Sequence, residues 1–222
     1  ANEAPTITSG AAAGFAENAT GTVYTVAATD QDAGATLTYS LTGADAALFN
    51  IDATTGAVTF KSSPNYEAPT DAGSDNVYDV TVRASDGTNI TTKAVAITVT
   101  NVNEAPTVTS AATASFAENA TGTVYTVAAT DPDAGTTLTY SISGADASLF
   151  DVNATTGAIT FKSSPNYETP ADAGGNNVYD INVTVSDGTD ATTQAVAITV
   201  TNVNEAPTIT SGATANSAEN AT

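Results

Sequence analysis

Apolar and polar residues alternate with period two along most of the chain, and the runs are bounded by Gly, Asp, Asn and Pro. That pattern predicts short β-strands rather than helices. Tyr24, Val26 and Ala28 share one side of a predicted strand, and Leu37, Tyr39 and Leu41 share one side of the next. Val58 and Phe60 follow, then Tyr78, Val80, Val82 and Ala84, and finally Val95, Ile97 and Val99. The series returns at Tyr140, Ile142, Ile159, Phe161, Ile181, Val183, Val196, Ile198 and Val200. These positions are the expected core. One stretch breaks the alternation: Ala44 to Phe49, in GADAALF, reads as a helical turn after Gly43.

The return is a true repeat. The string NEAP occurs at Asn2, Asn103 and Asn204, so its offsets are 103 − 2 = 101 and 204 − 103 = 101. FAEN stands at Phe15 and Phe116, and SAEN at Ser217. Residues 15–101 align with 116–202 without a gap and differ at 20 of 87 positions. A period of this length is one small domain, long enough to bury its own core. About seven short strands in roughly 100 residues indicate an immunoglobulin-like sandwich. The expected fold is therefore all-β, two tandem seven-stranded Greek-key sandwiches. The expected organisation is a tail of a preceding repeat at 1–5, repeats at 6–105 and 106–206, and the first strand of a following, truncated repeat at 207–222. Both ends read as cuts through a longer array.

Composition removes most catalytic chemistry. The chain has no His, Cys, Met or Trp, so a Ser-His-Asp or Cys-His arrangement, a disulfide framework and an ordinary zinc site all lack their parts. Hard, oxygen-ligated cations remain. The 24 acids against 4 bases, a net charge of −20, make nucleic acid an unsuitable partner. No apolar run approaches the roughly 20 residues of a membrane span, so no membrane insertion of this segment is expected.

The acidic positions recur in a recognisable order. FAEN supplies Glu17, ATDQDAG supplies Asp30 and Asp32, PNYEAP supplies Glu67, ASDG supplies Asp86, and NVNEAP spans Asn101 to Pro106. The second repeat supplies Glu118, Asp131, Asp133, Glu168, Asp187 and Asn202 to Pro207. This pattern resembles that of the cadherin family, whose repeats carry a first-strand Glu, a DxD after the second strand, an Asp-Arg-Glu-like element, a sixth-strand Asp and a DxNDN linker ending in Pro. The resemblance covers essentially the whole period and extends to bacterial cadherin-like domains of large surface adhesins. It implies calcium ligands drawn from two consecutive repeats. The complete set is Glu17, Glu67, Val102, Asn103, Glu104, Ala105, Asp131, Asp133 and Asp187, for two or three Ca2+ ions, with Val102 and Ala105 acting through their carbonyls. Weaker ligands and partial sites are expected at Asn65, at Asn2, Glu3, Asp30, Asp32 and Asp86, and at Glu118, Glu168, Asn204 and Glu205. Asn65 stands where cadherins often have Asp, and Asn101, Glu104 and Ala105 replace the first Asp, the second Asp and the last Asn of the linker. The loop at Asp71 and Asp75 reads as a polar loop, with further metal ligands as the alternative. N-x-S/T strings occur at Asn18, Asn119 and Asn153.

The resemblance implies a monomeric extender of an extracellular adhesion protein, at the cell surface or secreted, stiffened by calcium and partnered by neighbouring repeats of its own chain. The competing reading is a carbohydrate- or protein-binding module, homophilic contacts included, for which Tyr66 and Tyr167 are the exposed aromatic candidates. A carboxylate-based hydrolase is the third reading. It lacks an insertion long enough to shape a cleft, and no enzymatic activity is expected.

Overall fold

The computed structural model describes residues 2–212. Ala1 and residues 213–222, which hold the SAEN string and most of the strand expected at 207–222, lie outside the described residues. The described residues divide into two compact units, the first comprising residues 2–104 with 132–135 and the second residues 105–131 with 136–212.

In the first unit the strands are β1 (Thr6–Ile7), β2 (Ala12–Ala16), β3 (Thr22–Thr25), β4 (Ala28–Thr29), β5 (Thr38–Thr42), β6 (Phe49–Ile51), β7 (Ala57–Phe60), β8 (Val77–Ser85) and β9 (Ile90–Thr100). One sheet has the order β2-β9-β8-β5 and the other β3-β7-β6. Short β1 pairs antiparallel with β4, whereas β2 pairs parallel with β9. β1 with β2, and β3 with β4, are each one interrupted strand, which leaves the seven of an immunoglobulin-like sandwich. The expected helical turn is a single 3-10 turn at Ala46–Leu48.

The second unit repeats every element: β10 (Thr107–Val108), β11 (Thr113–Ala117), β12 (Thr123–Thr126), β13 (Ala129–Thr130), β14 (Thr139–Ser143), β15 (Phe150–Val152), β16 (Ala158–Phe161), β17 (Val178–Ser186) and β18 (Ala191–Thr201). Its sheets have the orders β11-β18-β17-β14 and β12-β16-β15.

The alternation has its physical counterpart in burial. Tyr78, Val80, Val82 and Ala84 on β8, and Val95, Ile97 and Val99 on β9, are all buried. Against them packs an aromatic group, with Phe49 and Phe60 centroids 4.3 Å apart and Tyr78 edge-on to Phe60 at 5.0 Å. Such pairs add stability beyond the area they bury. Tyr78 also accepts a hydrogen bond at its hydroxyl from the Thr70 amide at 3.3 Å, which ties the loop after β7 to the core. One burial departs from strict alternation: the β3–β7 register shifts between Thr22 and Tyr24, and both Val23 and Tyr24 turn inward. A bulge inserts one residue and so lets two successive side chains face the core.

Candidate metal centre

The end of β2 sets the first carboxylate. Because β2 runs parallel to β9 with Ala16 opposite Thr100, the next residue on each strand, Glu17 and Asn101, leave the sheet side by side. Glu17 is 2% exposed. Its Oε1 accepts the Val102 amide at 2.8 Å and its Oε2 the Tyr66 amide at 2.7 Å, so one side chain ties the linker to the loop that carries Glu67. Asn18 then takes a left-handed φ of 57°, which Asn tolerates better than most residues, and its amide donates to the Pro64 carbonyl at 2.9 Å.

Glu67 and Glu104 complete a triad. Glu17, Glu67 and Glu104 each place a carboxylate oxygen within 4.8 Å of the other two. Glu67 Oε1 accepts Asn101 Nδ2 at 3.0 Å, and Glu104 Oε1 accepts Asn18 Nδ2 at 2.5 Å. Asp133, which belongs to the first unit, accepts Asn101 Nδ2 at Oδ1 (2.8 Å) and the Glu104 amide at Oδ2 (2.9 Å). The second oxygens, Glu67 Oε2 and Glu104 Oε2, are buried without a hydrogen-bond partner. Burial, together with the charges of Glu17 and Asp133, raises the pKa of Glu67 above the usual glutamate range. Burial followed by the charges of Glu17, Glu67 and Asp133 does the same to Glu104. Leaving such an acceptor dry and unpaired is costly unless a cation completes it.

The geometry suits calcium. Two oxygens each about 2.4 Å from one ion lie no more than about 4.8 Å apart, and calcium takes about 6–8 oxygen ligands. The donor set is all oxygen, as a hard cation requires.

The same triad recurs one repeat on, at Glu118, Glu168 and Glu205. Glu118 Oε1 and Oε2 accept the Val203 and Tyr167 amides, each at 2.8 Å. Those amide donors hold the Glu118 pKa below its usual value. Here Glu168 and Glu205 are exposed. At the start of the chain, Asn2 Nδ2 donates to Asp86 Oδ2 at 2.8 Å and the Glu3 amide to Asp32 Oδ2 at 2.8 Å. Asp32 in turn donates its amide to Asp30 Oδ1 at 2.8 Å, while Asp30 Oδ2 is buried with no partner.

The remaining expected ligands fall as follows. Val102, Asn103, Ala105 and Asn204 are exposed on linker backbone, and Asp131 and Asp187 lie in the second unit, half-buried. Asn65 shapes the Glu67 loop by accepting the Ala68 amide at 2.6 Å. Asp71 closes its own loop, accepting the Asn76 and Asp75 amides at 3.1 Å each.

Two features escaped the sequence reading. Asn18 and Asn101 act as donors to the acids, and the only available signal was the return of Asn18 and Asn101 as Asn119 and Asn202. Asp45, 3% exposed, accepts the Ala72 and Asp79 amides at 2.7 Å each and has its counterpart in Asp146.

A cadherin-domain family model matches residues 12–103 and 112–203. Among solved structures, human protocadherin-24 EC1-2 is similar with a TM-score of 0.61 at 24% identity, over 92% of this chain and 100% of that one. Drosophila N-cadherin EC1-4 gives 0.61 at 23%, over 91% of this chain and 50% of that one, and mouse cadherin-23 EC22-24 gives 0.54 at 24%, over 90% and 65%. At these identities the likeness is one of fold. No curated protein sequence matches the chain. Cadherin domains are adhesion modules of extracellular proteins that occur in tandem, and they are not enzymes. No helix among the described residues is long and apolar enough to cross a membrane. Matched by that family model at both of its repeats, the chain belongs to the cadherin-domain family.

Proposed function

We propose that this chain is a calcium-binding, calcium-rigidified extender segment of an extracellular cell-adhesion protein. The observation that carries the reading is the buried, partnerless second oxygen on each of Glu67 and Glu104, two members of a triad with Glu17 in which each carboxylate has an oxygen within 4.8 Å of the others. Glu17, Glu67, Glu104 and Asp133 would hold the ion, and the resemblance adds Asp131, Asp187, Asn103 and the Val102 and Ala105 carbonyls. Calcium, when bound, supplies the positive charge that these acids lack. The residues do the rest: Glu17 fixes linker to loop through two amides, and Asp133 fixes Asn101 and the Glu104 amide. Calorimetric titration with calcium tests the reading, with small-angle scattering in calcium and in chelator. The expected result is saturable uptake of two or three ions at the complete site, with affinity of the order of 0.1–1 mM, and a stiffer particle in calcium. No binding heat and superimposable scattering curves would overturn it.

A repeated cavity favours the carbohydrate- or protein-binding alternative. It measures about 380 Å³ in the first unit, lined by Leu48, Phe60, Lys61 and Asn65 among others, and about 370 Å³ in the second. Tyr66 and Tyr167 line neither. Retention on a glycan array, unaffected by chelator and lost in Lys61→Ala with Lys162→Ala, would favour that module over the extender.

A further inference from the structure

We infer that Asn18 and Asn101 are positioning residues of the metal centre, each tying down one oxygen of a glutamate ligand so that the other is presented bare and inward. The inference rests on the calcium reading above. The division of labour is the same in both glutamates. Glu104 Oε1 accepts Asn18 Nδ2 at 2.5 Å while its Oε2 is buried and partnerless. Glu67 Oε1 accepts Asn101 Nδ2 at 3.0 Å while its Oε2 is likewise buried and partnerless. One repeat on, Asn119 Nδ2 meets Glu205 Oε1 at 2.7 Å and Asn202 Nδ2 meets Glu168 Oε1 at 2.8 Å. Two triads thus use the same pair of amides on the same oxygens.

Each asparagine has a reason to be asparagine. Asn18 must make the left-handed turn after Glu17 and also carry a donor, and glycine would meet only the first need. Asn101 stands where the resemblance has aspartate. Its Nδ2 bridges Glu67 Oε1 and Asp133 Oδ1, at 3.0 and 2.8 Å. A carboxylate there would put a further negative charge between two acids. The amide replaces that repulsion with two charge-assisted hydrogen bonds, and the ligands keep their places without metal. Outer partners of this kind orient ligands, and their loss typically costs about 10–100-fold in metal affinity.

The test uses the full chain and its variants Asn101→Ala, Asn101→Asp and Asn18→Gly, titrated with calcium by calorimetry and melted in chelator. Asn18→Gly keeps the left-handed turn. Asn101→Ala and Asn18→Gly should bind calcium about 10–100-fold more weakly. Asn101→Asp should melt below the parent and below Asn101→Ala in chelator, yet retain at least the parent's calcium affinity, a reversal that loss of structure alone would not produce. Equal calcium affinity in parent, Asn101→Ala and Asn18→Gly overturns the inference while leaving the calcium reading standing, and so does an Asn101→Asp variant as stable in chelator as the parent. A parent that takes up no calcium overturns both. Should Asn18→Gly lose its β-sheet circular dichroism, the two Asn101 variants decide the matter.

Discussion

Replacing Glu67 by Gln should change sign with calcium. The amide keeps an oxygen for Asn101 Nδ2 but removes one charge from a triad whose oxygens lie within 4.8 Å. Unit charges at that separation repel by about 3 kcal/mol at an effective dielectric of about 20. Glu67 is only half-buried, so solvent and salt reduce the relief to about 1 kcal/mol. For a domain of about 100 residues that corresponds to about 4–8 °C in melting temperature. In chelator, Glu67→Gln should therefore melt above the parent. In millimolar calcium the order should invert, because the variant has lost an anionic ligand. Differential scanning calorimetry of both proteins in both buffers measures the four values. A variant that melts at or below the parent in chelator would refute the idea that these acids strain against one another.

Asp45→Ala should cost more than any surface change, about 2–6 kcal/mol, since it leaves the Ala72 and Asp79 amides unpaired; urea denaturation checks it. Gly56→Ala should destabilise by at least about 1 kcal/mol, because a Cβ there would sit 2.4 Å from the Val26 carbonyl oxygen at φ +72°, whereas Gly14→Ala has open space and should be tolerated. The pH profile in chelator should be humped. Glu67 and Glu104, raised chiefly by burial and by neighbouring acids, contribute stability that is present at low pH and lost as pH rises through their native values. Asp71 works the other way: burial opposes its charge, but the Asp75 and Asn76 amides prevail and lower its pKa, so its contribution is lost as pH falls through its native value. Melting temperature should therefore rise as pH falls through the raised native values of Glu67 and Glu104 and drop again as pH falls further, through the lowered native value of Asp71, and a flat or monotonic profile would contradict both assignments.

Most of the sandwich was legible because burial and strand geometry share one period: Tyr78, Val80, Val82 and Ala84 had to lie on one face, and they do. The bulge at Val23 was not legible, since nothing in TVYT distinguishes a bulged strand from a regular one. The acids Glu17, Glu67 and Glu104 were singled out as candidates by the likeness of their order to the cadherin pattern; they are far apart in sequence, and only the fold brings their oxygens together. Asp45 was missed because a short polar residue before a helical turn reads as punctuation, and only the folded chain shows two amides converging on it. Asn101 was read by its place in the linker pattern. Its actual partners, Glu67 and Asp133, lie 34 and 32 residues away along the chain.

The parallel register of β2 on β9 has a mechanical consequence. Ala12 faces Ala96 and Ala16 faces Thr100, so the chain enters at one end of the unit and leaves at the other along two strands pointing the same way. Tension applied to the two termini of a unit pulls β2 and β9 in opposite directions along their length. Their ladder bonds then share the load in shear and must yield together, where an antiparallel pair pulled from adjacent ends would peel apart one rung at a time.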